Sequence, residues 1–192
     1  MSLEKANNLE AEIKSQKLLL ASPFMFESYF RRSVILMCEH ENDEGSLGYI
    51  LNKKMGITLG SLIEEFEDFP SEVYYGGPVE TDTLHYIHNV GHLLPDSVKI
   101  ADGVYWHGNF ESLKELMLTK QIEPSNVRFF IGYSGWGEGQ LQAEMEQQSW
   151  LIGQVKKEHV FNEEKDLWAT VLENEGGAKS IIGQIPDEEN LN

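Results

Sequence analysis

The stretch from Arg128 to Trp150 constrains the fold more than any other part of this 192-residue chain. An apolar run ending at Tyr133 passes through closely spaced glycines, Gly135, Gly137 and Gly139, into a polar segment that reads as a helix start. A strand, a tight loop and a helix in that order make a place where α/β proteins gather ligands and catalytic groups. Elsewhere hairpins are more frequent. Val98 to Ala101 and Val104 to Trp106 flank Asp102-Gly103, a strong hairpin signal. Ser33 to His40 is apolar on both faces until Glu39, as expected of a buried central strand, and returns through a turn at Glu41 to Gly45 as Leu47 to Leu51. Leu18 to Ala21, Val73 to Tyr75 and Thr83 to His88 read as further strands.

Helical spacing is sparser. Thr58 is expected to cap a helix bearing Leu59, Leu62, Ile63 and Phe66, and Asn109 one bearing Phe110, Leu113, Leu116 and Met117. A third begins near Gly139. A last one, capped by Asn162, carries Leu167, Trp168, Val171 and Leu172 and stops at Gly176-Gly177. Hairpins outnumber strand-helix-strand units, so the expected class is α+β, a mixed and mostly antiparallel sheet with packed helices. Residues 1–16 read as a lead-in, 17–175 as one domain and 176–192 as an acidic tail.

Thirty-two acidic residues against 15 basic ones give a net charge of -17. Such a chain repels phosphate backbones and anionic membranes. One cysteine, Cys38, excludes an internal disulfide and suits a reducing compartment. The first 17 residues carry no apolar run of the signal-peptide kind, and Leu18 to Phe26 is too short to span a bilayer. The expected setting is the cytoplasm.

Several groupings invite chemistry, and each has a plainer reading. The glycine stretch from Ser134 to Gly139 could cradle an anion on backbone N–H groups, but no Lys-Ser/Thr follows it and Glu138 stands where a phosphate would sit. The plainer reading is a tight turn that buries Trp136. Ser134 occupies a nucleophile-like position in Gly132-Tyr133-Ser134-Gly135-Trp136, with Trp136 where the elbow needs glycine. Cys38 and His40 lie two apart in a strand and could share a face, thiol beside imidazole; equally, Val34, Leu36 and Cys38 form one apolar face. His85, His88 and His92 suggest a metal, but strand geometry sends His85 and His88 to opposite faces, so no metal or other cofactor is expected.

The same segments resemble the AlgH/YqgE family of bacterial proteins. The likeness rests on Ser22-Pro23, Phe30-Arg31-Arg32-Ser33-Val34, Cys38-Glu39-His40, Gly45, Gly48 and Asn52. It continues through Gly76-Gly77-Pro78, His88, Gly132-Tyr133, Trp136, Gly139-Gln140-Leu141, Glu144 and Trp150. Lys54 departs from a common proline after Asn52-Lys53, and Gly137 is an extra glycine. The resemblance implies a branched or barrel-like sheet flanked by helices and brings no established catalytic residues. Members are often labelled transcriptional regulators, a label that the charge of this chain does not support as direct DNA contact.

Two functions from different classes remain open at this stage. One is a regulatory or binding module acting through a protein or small-molecule partner, with Glu39, Asn52, Gly76, Gly77, Pro78, His88, Trp136, Gly139, Gln140 and Glu144 as binding candidates. The other is a thiol-dependent enzyme or redox protein using Cys38 with His40, Ser134 being a further catalytic candidate. Charge alone generates a first prediction. Affinity for duplex DNA at physiological salt is expected to be weaker than the usual non-specific range of about 10⁻⁴–10⁻⁶ M. A fluorescence-anisotropy titration that saturates below that range contradicts it.

Overall fold

A computed structural model describes residues 17–187 except Phe26 and residues 42–44. The expected lead-in at 1–16, the middle of the Glu41–Gly45 turn and the last residues of the tail lie outside the described residues. The strands are β1 (Lys17–Ala21), β2 (Val34–Glu41), β3 (Gly45–Ile50), β4 (Lys54–Thr58), β5 (Glu72–Tyr75), β6 (Val79–His88), β7 (Val98–Ala101), β8 (Val104–Trp106), β9 (Val127–Trp136) and β10 (Trp150–Gln154). The helices are α1 (Leu59–Leu62), α2 (Phe110–Leu118), α3 (Gln140–Glu146), α4 (Lys157–Phe161), α5 (Leu167–Glu175) and α6 (Gly177–Gly183). The main sheet runs β10-β1-β2-β3-β9-β6-β8-β7, every neighbouring pair antiparallel. β5 joins β9 in parallel and carries β4 as a side branch. The α+β class, with a branched and mostly antiparallel sheet, is as the sequence implies.

The branch forms at Gly132. Before it, Val127 to Ile131 are flanked by β6 on one side, with β5 on the other from Phe129 on; after it, Ser134 to Trp136 pair with Gly48 to Ser46 of β3. The change of partner needs a left-handed residue, and Gly132 supplies it with φ 68°. There is no room for anything larger. A Cβ on Gly132 would lie 2.6 Å from the Gly77 carbonyl oxygen, and one on Gly76 would lie 2.2 Å from the Gly132 oxygen. The touching backbones are then bonded: Gly76 N–H donates to Ile131 O at 2.9 Å, and Ile50 N–H to Gly76 O at 3.0 Å.

Because both faces of the central strands are covered, alternate residues feed different cores. Leu18, Leu20, Val34 and Leu36 face Trp168, Val171 and Leu172 of α5, while Leu19, Ile35 and Met37 share a second core with Leu141 of α3. A third core packs Phe129 and Val73 against Leu113, Leu116 and Met117 of α2. Asn109 caps α2 as expected, its side chain accepting from Ser112 N–H at 2.9 Å.

Other expectations are corrected. The helix after Thr58 lasts one turn, because Ile63 is extended (φ -134°), and the Thr58 side chain makes no capping bond. Leu59 and Phe66 are buried while Leu62 is exposed, so the stripe is real but is carried by a turn and a short 3₁₀ segment, Glu64–Phe66. Asn162 ends α4; the cap of α5 is Asp166, whose carboxylate accepts from Ala169 N–H at 3.0 Å. β4 and β10 were not foreseen. β4 is mostly exposed and so lacks an apolar alternation, and β10 follows α3 too closely to stand out. Most important, Ser134, Gly135 and Trp136 are strand and not loop.

A series of glycine variants tests the branch. Gly137→Ala, exposed with no atom within 4 Å of the new methyl, is expected to change stability by less than about 0.5 kcal/mol. Gly139→Ala, equally unobstructed but at φ 67°, should cost about 1–2 kcal/mol. Gly132→Ala adds overpacking to the same conformational penalty and should cost about 2–5 kcal/mol. Urea melts that rank the three otherwise contradict the branch.

Candidate functional site

The extension of β9 through Trp136 sets up the site. Trp136 is 5% exposed, folded under α3, and its indole N–H donates to Glu144 Oε2 at 2.8 Å. Trp150, entering β10, donates to the same oxygen at 2.7 Å, with the two indoles edge-to-face at 5.9 Å between centroids. Gln140 Nε2 donates to the other oxygen at 2.9 Å, and its own Oε1 accepts from Gly137 N–H at 3.1 Å. Glu144 is therefore a clamp that joins the end of β9, the start of α3 and the start of β10. A carboxylate beside an apolar stripe needs such donors, since an unpaired buried charge is costly. Here they are two indoles and an amide. Gly139 starts α3 at φ 67°.

On the open side, β3 and the end of β9 wall a cleft of about 400 Å³. Glu39, Ser46, Leu47, Val79, Tyr133 and Trp136 line it. Glu39 reaches its rim through a bulge: Met37 pairs with Gly48 and Glu39 with Leu47, leaving Cys38 as the extra residue. Tyr133 is backed edge-on by His85, 5.8 Å away, whose Nε2 is 2.8 Å from Thr83 Oγ1. Burial pulls the His85 pKa down; at His107 burial does the same against an opposing pull from the Glu39 carboxylate.

Most of the remaining sequence candidates are engaged in contacts within the fold. Cys38 is 4% exposed, its Sγ is 3.8 Å from Leu36 O, and burial pushes the thiol well above its ordinary pKa. The bulge interrupts the two-residue repeat that suggested a Cys38–His40 pair, and His40 Nδ1 lies 2.6 Å from Ser46 Oγ. Ser134 is fully buried and donates to Gly76 O at 3.1 Å. Asn52 bridges the start of β2, accepting from Val34 N–H at 2.9 Å and donating to Arg32 O at 2.8 Å. Gly76 and Gly77 form the branch, with Pro78 exposed beside them. His88 is fully buried, its Nε2 2.9 Å from His107 O, on the face of β6 opposite His85, and His92 is exposed. Among the described residues no group of three or more His, Cys, Asp or Glu is placed to hold a metal ion.

The cleft thus unites Glu39 with Tyr133 and Trp136, while Asn52, His88 and the glycine turn stay apart from it. Sequence reasoning missed Ser46 and Val79, which carry no signal, and Arg128. The signal for Arg128 was available: a single charge inside the apolar run Val127 to Ile131.

Residues 18–180 match the AlgH-like family. The chain belongs to that family. A UPF0301 protein of Chlorobium limicola is 41% identical over 94% of this chain and 97% of its own length. One from Cytophaga hutchinsonii is 41% identical over 92% and 97%. Two solved structures share the AlgH-like fold at 22% identity, which speaks to fold alone. A Corynebacterium diphtheriae protein superposes with a TM-score of 0.77 over 91% of this chain and 93% of that one. AlgH from Pseudomonas aeruginosa does so at 0.69 over 91% and 95%.

For the AlgH-like clamp, Trp136→Ala is expected to cost about 3–5 kcal/mol, the range for an aromatic truncated in a core. Glu144→Gln should keep the fold and cost about 1–3 kcal/mol, because its amide oxygen can still accept from both indoles but without the charge, while its amide nitrogen then meets the Gln140 donor in place of an acceptor. Denaturant melts in which Trp136→Ala matches the parent would remove the clamp.

Proposed function

We propose that this AlgH-like protein is a cytoplasmic regulatory binding module that acts through a small-molecule or protein partner seated in the Glu39–Trp136 cleft. Its folded unit takes in residues 17–175 and also α6, which reads in the sequence as part of an acidic tail, and it works without touching nucleic acid directly. The observation that carries the reading is the division of labour among the motif residues. Glu144, Asn52, Ser134, His88 and the branch glycines are spent inside the fold, while Glu39 and Tyr133 keep polar groups at the opening of the cleft, beside Ser46, whose hydroxyl is shared with His40. An acceptor carboxylate, a hydroxyl and a phenol beside an apolar wall suit recognition of a ligand with hydrogen-bond donors and some apolar surface. A net charge of -17 favours a neutral or cationic partner at long range. Among the described residues no helix is long and apolar enough to cross a membrane.

The test is a fragment and metabolite-extract screen observed on the protein by NMR. The binding reading expects saturable shifts at Ser46, Leu47, Tyr133 and Gly135, reduced at least tenfold in affinity by Tyr133→Ala, with the ligand recovered unchanged. Conversion of the ligand, abolished by Cys38→Ala, overturns it in favour of thiol chemistry. So does a screen whose hits leave the cleft residues unmoved.

A further inference from the structure

At the opposite ends of β3 and β9 from the Glu39–Trp136 cleft lies a larger cavity of about 580 Å³. Its lining concentrates positive charge in an acidic protein. Arg32, Lys53, Lys54, Arg128 and Lys165 are five of the chain's 15 basic residues. The lining carboxylates are Glu163, Glu164, Asp166 and Asp187. Glu163 pairs with Lys54 at 2.6 Å, and Asp166 and Asp187 both pair with Arg32.

Arg128 stands apart from these pairs. It is 7% exposed, yet among the described residues no carboxylate lies within ion-pairing distance of it. Nη1 donates to Leu51 O at 2.9 Å and Nη2 to Asn162 O at 3.4 Å, while the guanidinium carbon sits 4.3 Å over the Tyr74 ring. Two carbonyls and a ring orient the fork, and the carboxylate that attracts it, Glu163, does so from beyond ion-pairing distance and is itself paired with Lys54. Five N–H groups belong to a guanidinium, and an arginine stays charged even where burial opposes it. A buried charge that lacks a counter-ion is expensive, and most proteins pair it or leave it at a site where a ligand pairs it.

We propose that this cavity binds a small phosphorylated molecule, with its phosphate on Arg128 and the ammonium groups of Lys53 and Lys54. A planar fork flanked by two point charges suits a dianion with several acceptor oxygens better than a single carboxylate. The volume falls within the range of small-ligand sites. The overall charge of -17 works against the approach of an anion, but the lining carries five basic against four acidic side chains, and carboxylates more than about 8 Å away are screened at physiological ionic strength. A nucleic-acid backbone would have to pass those carboxylates along its whole length, which a single small anion does not. The proposal is independent of the Glu39–Trp136 cleft.

The experiment is a heteronuclear NMR titration of the whole chain in phosphate-free buffer, with inorganic phosphate, ribose 5-phosphate, ribose and malonate as probes. Ribose 5-phosphate is expected to bind at least tenfold more tightly than malonate, with saturable shifts at Leu51, Tyr74, Arg128 and Asn162, and ribose not at all. Inorganic phosphate should move the same signals. Arg128→Gln removes the charge while keeping a polar amide, and should lower affinity for ribose 5-phosphate at least tenfold. Lys54→Gln, on the exposed rim, should lower it about threefold or more, and it decides the matter if Arg128→Gln does not fold. No saturation by 10 mM of either phosphate, equal or tighter binding of malonate, or unchanged affinity in a folded Arg128→Gln or in Lys54→Gln overturns the proposal. Shifts confined to Ser46, Tyr133 and Gly135 would belong to the other cleft and also count against it.

Discussion

Backbone-to-backbone contact at Gly76, Gly77 and Gly132 is the constraint on which the rest of the structure depends. A strand that keeps one set of partners along its length builds a simple sheet. β9 changes partners at Gly132, and the change is possible only because chains without side chains cross there at van der Waals distance. The consequence is spatial. The first half of β9 sits between β5 and β6 and ends one cavity with Arg128; the second half returns to β3 and walls the other cleft with Tyr133 and Trp136. Both openings are products of one crossing.

Two charged anchors then hold elements that hydrogen bonds of the sheet do not reach. Glu144 gathers the indoles of Trp136 and Trp150 and so fixes α3 over the second core. Arg32 lies 4.2 Å over Trp168 and, with Arg31, bonds the segment Ile185 to Asp187. These charges differ in kind from surface pairs. Each is packed against aromatic rings, where a charge-assisted bond is worth more than the fraction of a kcal/mol typical of exposed ion pairs.

The sequence made most of the strands legible because burial on two faces or a turn dipeptide marked them, as at Ser33 to His40 and at Asp102-Gly103. It hid β4, whose residues face solvent, and it disguised the end of β9. Ser134-Gly135-Trp136 looks like a loop because glycine and serine are turn formers, but here they are strand residues in tight contact with neighbouring backbone. The Cys38–His40 idea rested on a strict two-residue repeat, and a bulge cannot be read from composition. Trp136 was legible as buried, since glycines flank a large apolar side chain. The partners of Glu144 were not, because two indoles from separate elements are a tertiary fact. Arg128 was visible as a lone charge in an apolar run, but its lack of a counter-ion depends on what β5 and α4 bring beside it.

Native-state hydrogen exchange of the Gly76 and Ile50 amides tests the central claim, that this crossing organises the fold, most directly. Both amides are bonded across the branch, Gly76 to Ile131 and Ile50 to Gly76. If the crossing is the organising contact, both exchange only through global unfolding, with an opening free energy equal to that from denaturant melts. Exchange through a local opening several kcal/mol below the global value would mean that the branch forms on a scaffold held together elsewhere, and would contradict the account.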